Sequence, residues 1–341
     1  MDSTPTPTIT RPAAPFYVQF EVTSACNHNC FFCYNDPRTG GAQLSTTEVM
    51  RVFDEMAKIG VFSINFNGGE PLKRPDLLTL AERAKSLGFD IHLNTNATLI
   101  DECVADRLAR LFPSICTSVL SSVPERHDRF VGAQHAFDRM RKGVALLLDR
   151  GVKIEINVCT FTENCNEVFD IAAIMAAPGV HVFCVTRFIL NSLETRHYLL
   201  GPNETLRVLD ALERIQAELP TYKEVKLPGP VPFCELPAAA KSRLARWNTP
   251  CQVGYGLCRI SPTGLVTPCP LSDEVMGDVR KTSFADIWRS TNWNRFATVQ
   301  HLPSACRGCP DLPACRGGCV GYDDNLVRCG LTPQTQKWRS P

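Results

Sequence analysis

The stretch Phe16-Tyr17-Val18-Gln19-Phe20-Glu21-Val22-Thr23, followed by Cys26-Asn27-His28-Asn29-Cys30-Phe31-Phe32-Cys33, decides the reading of this chain. Its first half is apolar, β-branched and aromatic, which predicts a strand. Its second half puts three cysteines into one short loop at C-x3-C-x2-C spacing. Three thiolates suit a 4Fe–4S cube with one iron corner left open. An open corner can hold a substrate or cofactor, whereas a cube with four cysteine ligands mostly carries electrons. A c-type haem site needs C-x-x-C-H, but Tyr34 follows Cys33. A zinc ribbon needs a second cysteine pair nearby, and the next cysteine is Cys103.

Outward from this loop, strand-like and helix-like segments alternate from about Phe16 to Arg187. Strands are predicted over 16–23, 62–67, 90–95, 113–119, 152–160 and 180–187. Amphipathic helices are predicted near 45–59, 75–87, 100–111, 135–149 and 166–177, with Ser45 or Thr46 placed to cap the first. Six strands with intervening helices predict a parallel α/β fold of right-handed βαβ units. Functional loops in such folds gather at the carboxyl ends of the strands, where the first cysteine loop falls. A helix-like stretch near 203–219 and a Pro-rich connector, LPGPVPFCELPAAA, follow. Residues 251–330 are rich in Cys, Gly and Pro, as expected of a small domain organised by metal.

Composition narrows the classes. The chain has 341 residues, 44% hydrophobic and 21% charged, with net charge +1, so it reads as globular without a nucleic-acid-binding surface. No run of about 18 apolar residues predicts a membrane span. The opening MDSTPTPTITRPAAP has no basic start or apolar core of a secretory signal and reads as a disordered arm. Seventeen cysteines, an odd count, favour metal ligation over a disulfide framework and a cytoplasmic location.

The loop with Phe32 before its third cysteine resembles the cluster loop of the radical S-adenosylmethionine (radical SAM) family. Strand two ends in Asn67-Gly68-Gly69-Glu70-Pro71, similar to that family's GGEP motif. Two glycines let backbone approach a ligand closely, and the resemblance gives Gly68, Gly69, Glu70 and Pro71 a contact with the methionine amino group of SAM. Asn94-Thr95-Asn96-Ala97-Thr98 resembles the family's T-N-G stretch, with Ala97 where glycine is usual. That makes Thr95 and Asn96 candidate SAM contacts. In Thr117-Ser118-Val119-Leu120-Ser121-Ser122, Ser118 matches a serine near the ribose or carboxylate, but the family's acid is absent. Arg187 is a candidate contact for the SAM carboxylate or a substrate. His127-Asp128-Arg129-Phe130-Val131-Gly132 resembles a segment of structural role.

The C-terminal cysteines resemble the SPASM extension of the same family. Cys251-x12-Gly264-x4-Cys269 is followed by Cys306-x2-Cys309-x5-Cys315-x3-Cys319 and then Cys329, with Cys258 as an eighth thiol. Structural zinc is the alternative for thiolate-only sets. The resemblance implies one auxiliary cluster on Cys251, Cys258, Cys269 and Cys319, and another on Cys306, Cys309, Cys315 and Cys329. Cysteines 103, 116, 159, 165, 184 and 234 read as buried small apolar residues, with Cys234 in the connector the exception to watch.

The whole resemblance implies a partial (β/α)6 TIM-like barrel followed by a small cysteine-rich SPASM domain. The expected division is an arm at 1–15, a barrel at 16–200, a helix and linker at 201–250, the auxiliary cluster domain at 251–330 and a tail at 331–341. It implies three 4Fe–4S clusters, SAM, and an external one-electron donor of flavodoxin or ferredoxin type. The implied activity is reductive SAM cleavage to a 5′-deoxyadenosyl radical and modification of a peptide by crosslinking, oxidation or epimerisation. With about 15 residues before strand one, a peptide leader would need a separate recognition protein. Dehydrogenation or epimerisation of a small molecule is the alternative, and a non-catalytic iron–sulfur or zinc protein is the alternative of another class. Pro270-Leu271 follows Cys269, where sulfatase-maturing relatives place an aspartate base, which disfavours that activity.

Overall fold

Period-two alternation along the strands sorts the side chains to two faces and produces a partial (β/α)6 TIM-like barrel. A computed structural model describes residues 11–34, 41–189, 193–229, 231–247, 249, 251–272, 274–297, 306, 308–315 and 317–319. The strands are β1 (Tyr17–Thr23), β2 (Ser63–Gly68), β3 (Asp90–Thr95), β4 (Ser114–Ser118), β5 (Lys153–Thr160) and β6 (Val180–Arg187). They pair in parallel and in sequence order. The crossovers carry α1 (Thr46–Ile59), α2 (Leu77–Ser86), α3 (Glu102–Leu111), α4 (Pro124–Val131), α5 (Ala136–Leu148) and α6 (Val168–Met175). Of the two candidates for the first cap, Ser45 is the one used: it accepts from the Glu48 N–H while Glu48 accepts from the Ser45 N–H, a capping box. Helix α4 is the crossover that periodicity misses, because eight residues opened by Pro124 give too short a window.

Both edges of the sheet are extended. On one side, α7 (Pro202–Glu218) leads to β7 (Glu224–Lys226), which pairs in parallel with β6, and α8 (Ala238–Trp247) follows. On the other, β8 (Leu257–Ile260) pairs in parallel with β1, running from Tyr17 opposite Leu257 to Phe20 opposite Ile260. Then β9 (Leu265–Thr267) and β10 (Gly277–Asp278) continue it antiparallel. The cysteine-rich segment therefore grows its sheet directly onto the barrel's first strand. Among the described residues, no helix is long and apolar enough to cross a membrane.

The outer face of the barrel strands is the main core. Val18, Phe20, Val22, Ile64, Phe66 and Leu93 are fully buried there against the helices. Phe53 of α1 packs edge-to-face on Phe20 at 5.2 Å and on Phe66 at 6.0 Å, each such ring contributing about 2–3 kcal/mol by burial. The inner face is different. Gln19, Glu21, Asn65 and Asn67 alternate with the core residues, and one side-chain oxygen of each is buried without a hydrogen-bond partner, as is Asn157 Oδ1 on β5. Filled barrel interiors are lined by Val, Ile and Leu, so a polar, unsatisfied lining marks a lumen shaped for a polar ligand.

One ion pair joins the barrel to the added hairpin: Arg259 Nη2 of β8 donates to Glu21 Oε2 of β1, whose side chain has no solvent exposure. Burial pushes the Glu21 carboxyl up and Arg259 pulls it back down. Arg259→Met is expected to lower stability to urea by about 3 kcal/mol, the cost being limited because the stranded carboxyl protonates. Adding Glu21→Gln should recover at least half of that loss, and equal stabilities of wild type and Arg259→Met would show the pair contributes nothing.

Candidate metal centre

The loop after β1 is held from three sides. Asn29 N–H donates to the Val131 carbonyl at the end of α4 at 2.9 Å, and Cys33 N–H donates to the Cys30 carbonyl at 3.2 Å, closing a turn. Phe31 enters an aromatic cluster, with ring centroids 4.3 Å from Tyr198, 5.1 Å from Phe161 and 6.2 Å from Phe130. Phe32 stacks on Phe161 at 6.1 Å. Cys26, Cys30 and Cys33 are in no disulfide. Burial pushes the Cys30 thiol well up, and the neighbouring thiols of Cys33, Cys26 and Cys159 push it further. The three loop thiols thus gather around Cys30. His28 N–H donates to Cys26 Sγ at 3.4 Å, a bond that favours its thiolate.

The donor set suits a cluster. Thiolates on one tetrahedral zinc lie about 3.8 Å apart, given Zn–S bonds of about 2.3 Å. Among the described residues, no three His, Cys, Asp or Glu side chains are grouped to hold a single metal ion. Three thiols in one electrostatic neighbourhood supply three corners of an iron–sulfur cube.

The end of β2 lies directly against this loop. Gly69 N–H donates to the Thr23 carbonyl at 2.7 Å and Glu70 N–H to the Ala25 carbonyl at 2.8 Å. A Cβ on Gly69 would stand 2.2 Å from the Ala25 oxygen, and Gly68 has φ 131°. No other residue fits this approach. Glu70 does something the motif does not announce. It is buried, and its carboxylate accepts from Leu72 N–H at 3.0 Å, Thr95 Oγ1 at 2.7 Å and Asn96 N–H at 2.8 Å. It braces the ends of β2 and β3 from behind, and Pro71 opens the short helical turn that follows. Asn96 Nδ2 donates to Asn27 Oδ1, and Asn27 Nδ2 donates to Thr98 Oγ1, both at 2.8 Å. Asn27 and Thr98 carry no motif signal of their own, and only this network reveals them. Ala97, where glycine is usual, takes the left-handed φ of 59° that glycine would adopt freely.

Ser118 and Arg187, half-buried, end β4 and β6. His127 is structural: its Nδ1 accepts the Leu120 N–H at 3.2 Å and its ring meets Phe137 edge-to-face.

The C-terminal thiols fall into separate places. Burial pushes the Cys269 thiol well up, and the nearby thiols of Cys319 and Cys251 add to this, so these three gather. Cys258 stands apart. It pairs with Val18 on β1 and is fully buried on the apolar outer face, whereas Arg259, which feels Cys269, lies on the opposite face. Cys306, Cys309 and Cys315 lie in one short loop, with Cys309 N–H donating to the Cys306 carbonyl at 3.2 Å. Cys329 lies outside the described residues.

Two outcomes follow from this geometry. Gly69→Ala is expected to displace the cysteine loop and lower bound iron by about four per chain, measured by iron assay after reconstitution; unchanged iron would contradict the close approach. For His127, burial holds the pKa down at about 4, against about 6.5 unfolded. The unfolded chain therefore binds the extra proton across this window, so stability is complete above pH 6.5 and falls as pH drops toward 4. His127→Gln should flatten that decline in pH-dependent unfolding, and an unchanged slope would remove His127 from the account.

The sequence pattern of the Radical SAM superfamily matches residues 20–173, and that of SPASM, an iron–sulfur cluster-binding domain, matches residues 251–310. An AdoMet-dependent heme synthase of Methanosarcina barkeri is 26% identical over 89% of this chain and 91% of its own length. A PqqA peptide cyclase of Xanthomonas axonopodis pv. citri is 28% identical over 89% of this chain and 82% of its own. In fold, Streptococcus suis SuiB bound to its precursor peptide SuiA is similar with TM-score 0.75 at 18% identity, covering 93% of this chain and 74% of that one. Loop thiols beside a glycine pair, a partial barrel and a thiol-rich sheet extension are thus the parts of one known architecture, and the chain belongs to the radical SAM superfamily with a C-terminal SPASM domain.

Proposed function

We propose that this chain is a peptide-modifying radical SAM enzyme. The observation that carries the reading is the gathering of Cys26, Cys30 and Cys33 beside Gly68-Gly69. Cys26, Cys30 and Cys33 would hold a 4Fe–4S cluster, and that group would supply the electron for reductive cleavage of SAM to methionine and a hydrogen-abstracting 5′-deoxyadenosyl radical. The chain's own residues do the rest. Gly68 and Gly69 offer bare backbone to the methionine end of SAM, while Glu70, Thr95 and Asn96 hold that backbone in place. Ser118 and Arg187 offer a hydroxyl and a guanidinium at the mouth of the lumen, for the ribose and a carboxylate. The buried amides of Asn65, Asn67 and Asn157 supply hydrogen bonds to the substrate. The aromatic cluster around Phe31 keeps water from the loop. The SPASM thiols Cys251, Cys269 and Cys319, and Cys306, Cys309 and Cys315, would hold auxiliary clusters able to exchange electrons with the substrate. An external flavodoxin- or ferredoxin-type protein supplies the reducing electron in the cytoplasm, and a separate recognition protein presents the peptide. Similarity to a PqqA peptide cyclase and to SuiB, whose structure holds its precursor peptide, supports a peptide substrate.

Similarity to an AdoMet-dependent heme synthase over a comparable share of the chain supports a second reading, in which the lumen takes a tetrapyrrole. The chain, loaded with iron and sulfide and reduced with dithionite, is expected to convert SAM to 5′-deoxyadenosine by mass spectrometry. The Cys26→Ala/Cys30→Ala/Cys33→Ala variant should give none. A wild type that binds about two zinc ions and leaves SAM intact would refute the reading. Titration with haemin separates the substrates: no shift of the Soret band supports the peptide, and a saturable shift at one equivalent supports the tetrapyrrole.

A further inference from the structure

The connector ahead of the SPASM thiols does not behave as a linker. Its Phe233–Glu235 turn lies against the loop that carries Cys306, Cys309 and Cys315. Phe233 N–H donates to Cys315 Sγ at 3.4 Å, in a buried position. Helix α8, which follows the turn, is fastened to the same loop by Lys241 Nζ and Asp311 Oδ2 at 2.6 Å. Inside the loop, Cys315 N–H donates to the Asp311 carbonyl at 2.8 Å and Leu312 N–H to the Cys309 carbonyl at 3.1 Å. Cys234 therefore sits one residue from a backbone bond to a candidate ligand, on an element clamped to that ligand's loop.

We propose that Cys234 is the fourth thiolate of the auxiliary cluster held by Cys306, Cys309 and Cys315, at the corner that the family resemblance gives to Cys329. The proposal rests on the iron–sulfur reading of the SPASM domain. A loop supplying three ligands within ten residues wraps one side of a cube, and the fourth corner needs a donor from another element. The 233–235 turn is the described element lying there. Its thiol is in the right company: after burial, the neighbours that raise Cys306 are Cys315, Cys234 and Cys309, and those that raise Cys315 include Cys234 and Cys309. Lys241 feels both Cys309 and Cys234, so a cation stands ready beside four thiolates whose cluster is net negative. Cys234 is in no disulfide and is exposed, as is Cys103 on α3, which supplies an internal standard.

Two measurements test this. First, in cluster-loaded wild type, iodoacetamide should label Cys103 at least about tenfold faster than Cys234, because a ligated sulfur is not a free nucleophile. Removal of iron should bring the two rates together. Second, in the Cys26→Ala/Cys30→Ala/Cys33→Ala background only auxiliary clusters remain, at about eight irons per chain. Adding Cys234→Ala should lower this to about four, or leave a three-iron form visible by electron paramagnetic resonance, while Cys329→Ala keeps about eight. Cys234 labelled as fast as Cys103 in the loaded protein, with iron unchanged in Cys234→Ala, would overturn the proposal alone. A background variant that holds no iron would overturn the iron–sulfur reading beneath it.

Discussion

The buried carboxylate of Glu70 is the constraint on which the site depends. A carboxylate without water is costly unless its lone pairs are satisfied, and here three donors meet it, Leu72 from the turn after β2 and the consecutive Thr95 and Asn96 from the end of β3. Burial pushes its pKa up and those donors pull it back. Because two of these donors end β3 while Glu70 and Leu72 follow β2, satisfying Glu70 fixes the ends of β2 and β3 relative to one another. That in turn fixes Gly68-Gly69 against the Thr23 and Ala25 carbonyls, and through Asn96 and Asn27 it fixes the cysteine loop. The motif glutamate thus acts as a brace between the ends of β2 and β3.

A second constraint is the exchange of interior packing for polarity. With Gln19, Glu21, Asn65 and Asn67 turned inward, the barrel's apolar stabilisation falls on its outer face and helices. The open edge at β1 would be a liability, and β8 closes it. The same pairing delivers Arg259 to Glu21 and brings Cys269 to the lumen side of the sheet. Edge protection and delivery of the auxiliary thiols are one event. The link is reinforced by packing, since Cys319 and Cys30 both lie against the Phe130, Phe161 and Phe188 cluster.

Much of this was legible in the chain. The six barrel strands, the Ser45 cap and the gathering of Cys26, Cys30 and Cys33 follow from alternation, cap chemistry and spacing, all local properties. What spacing alone does not give is facing. Cys258 fits the cysteine count of a four-thiol set, yet its register opposite Val18 turns it to the apolar face, and register is set by pairing with a strand more than 200 residues away. Cys234 is the converse: it belongs to no spacing pattern, and only the docking of its turn on Cys315 gives it meaning. The bracing role of Glu70 and the part played by Asn27 are likewise invisible to local pattern, because Thr95, Asn96 and Thr98 reach them from the end of β3.

The electrostatics of the cysteine loop tie cluster loading to protons. Burial raises the Cys26 and Cys30 thiols, so without iron they are protonated and neutral, which is the form a dry aromatic pocket tolerates. His28, held down at about 4 by burial and by Arg139, is neutral as well. Among the described residues Lys73, whose ammonium donates to the Cys26 carbonyl at 3.5 Å, lowers the Cys26 thiol, but it ranks behind burial, so the thiol stays raised. Iron supplies the positive charge, and its entry must expel the thiol protons. Loading then becomes more favourable as pH rises, and the burial that opposes free thiolates is what makes the loop hold them only when a cluster is there to share their charge.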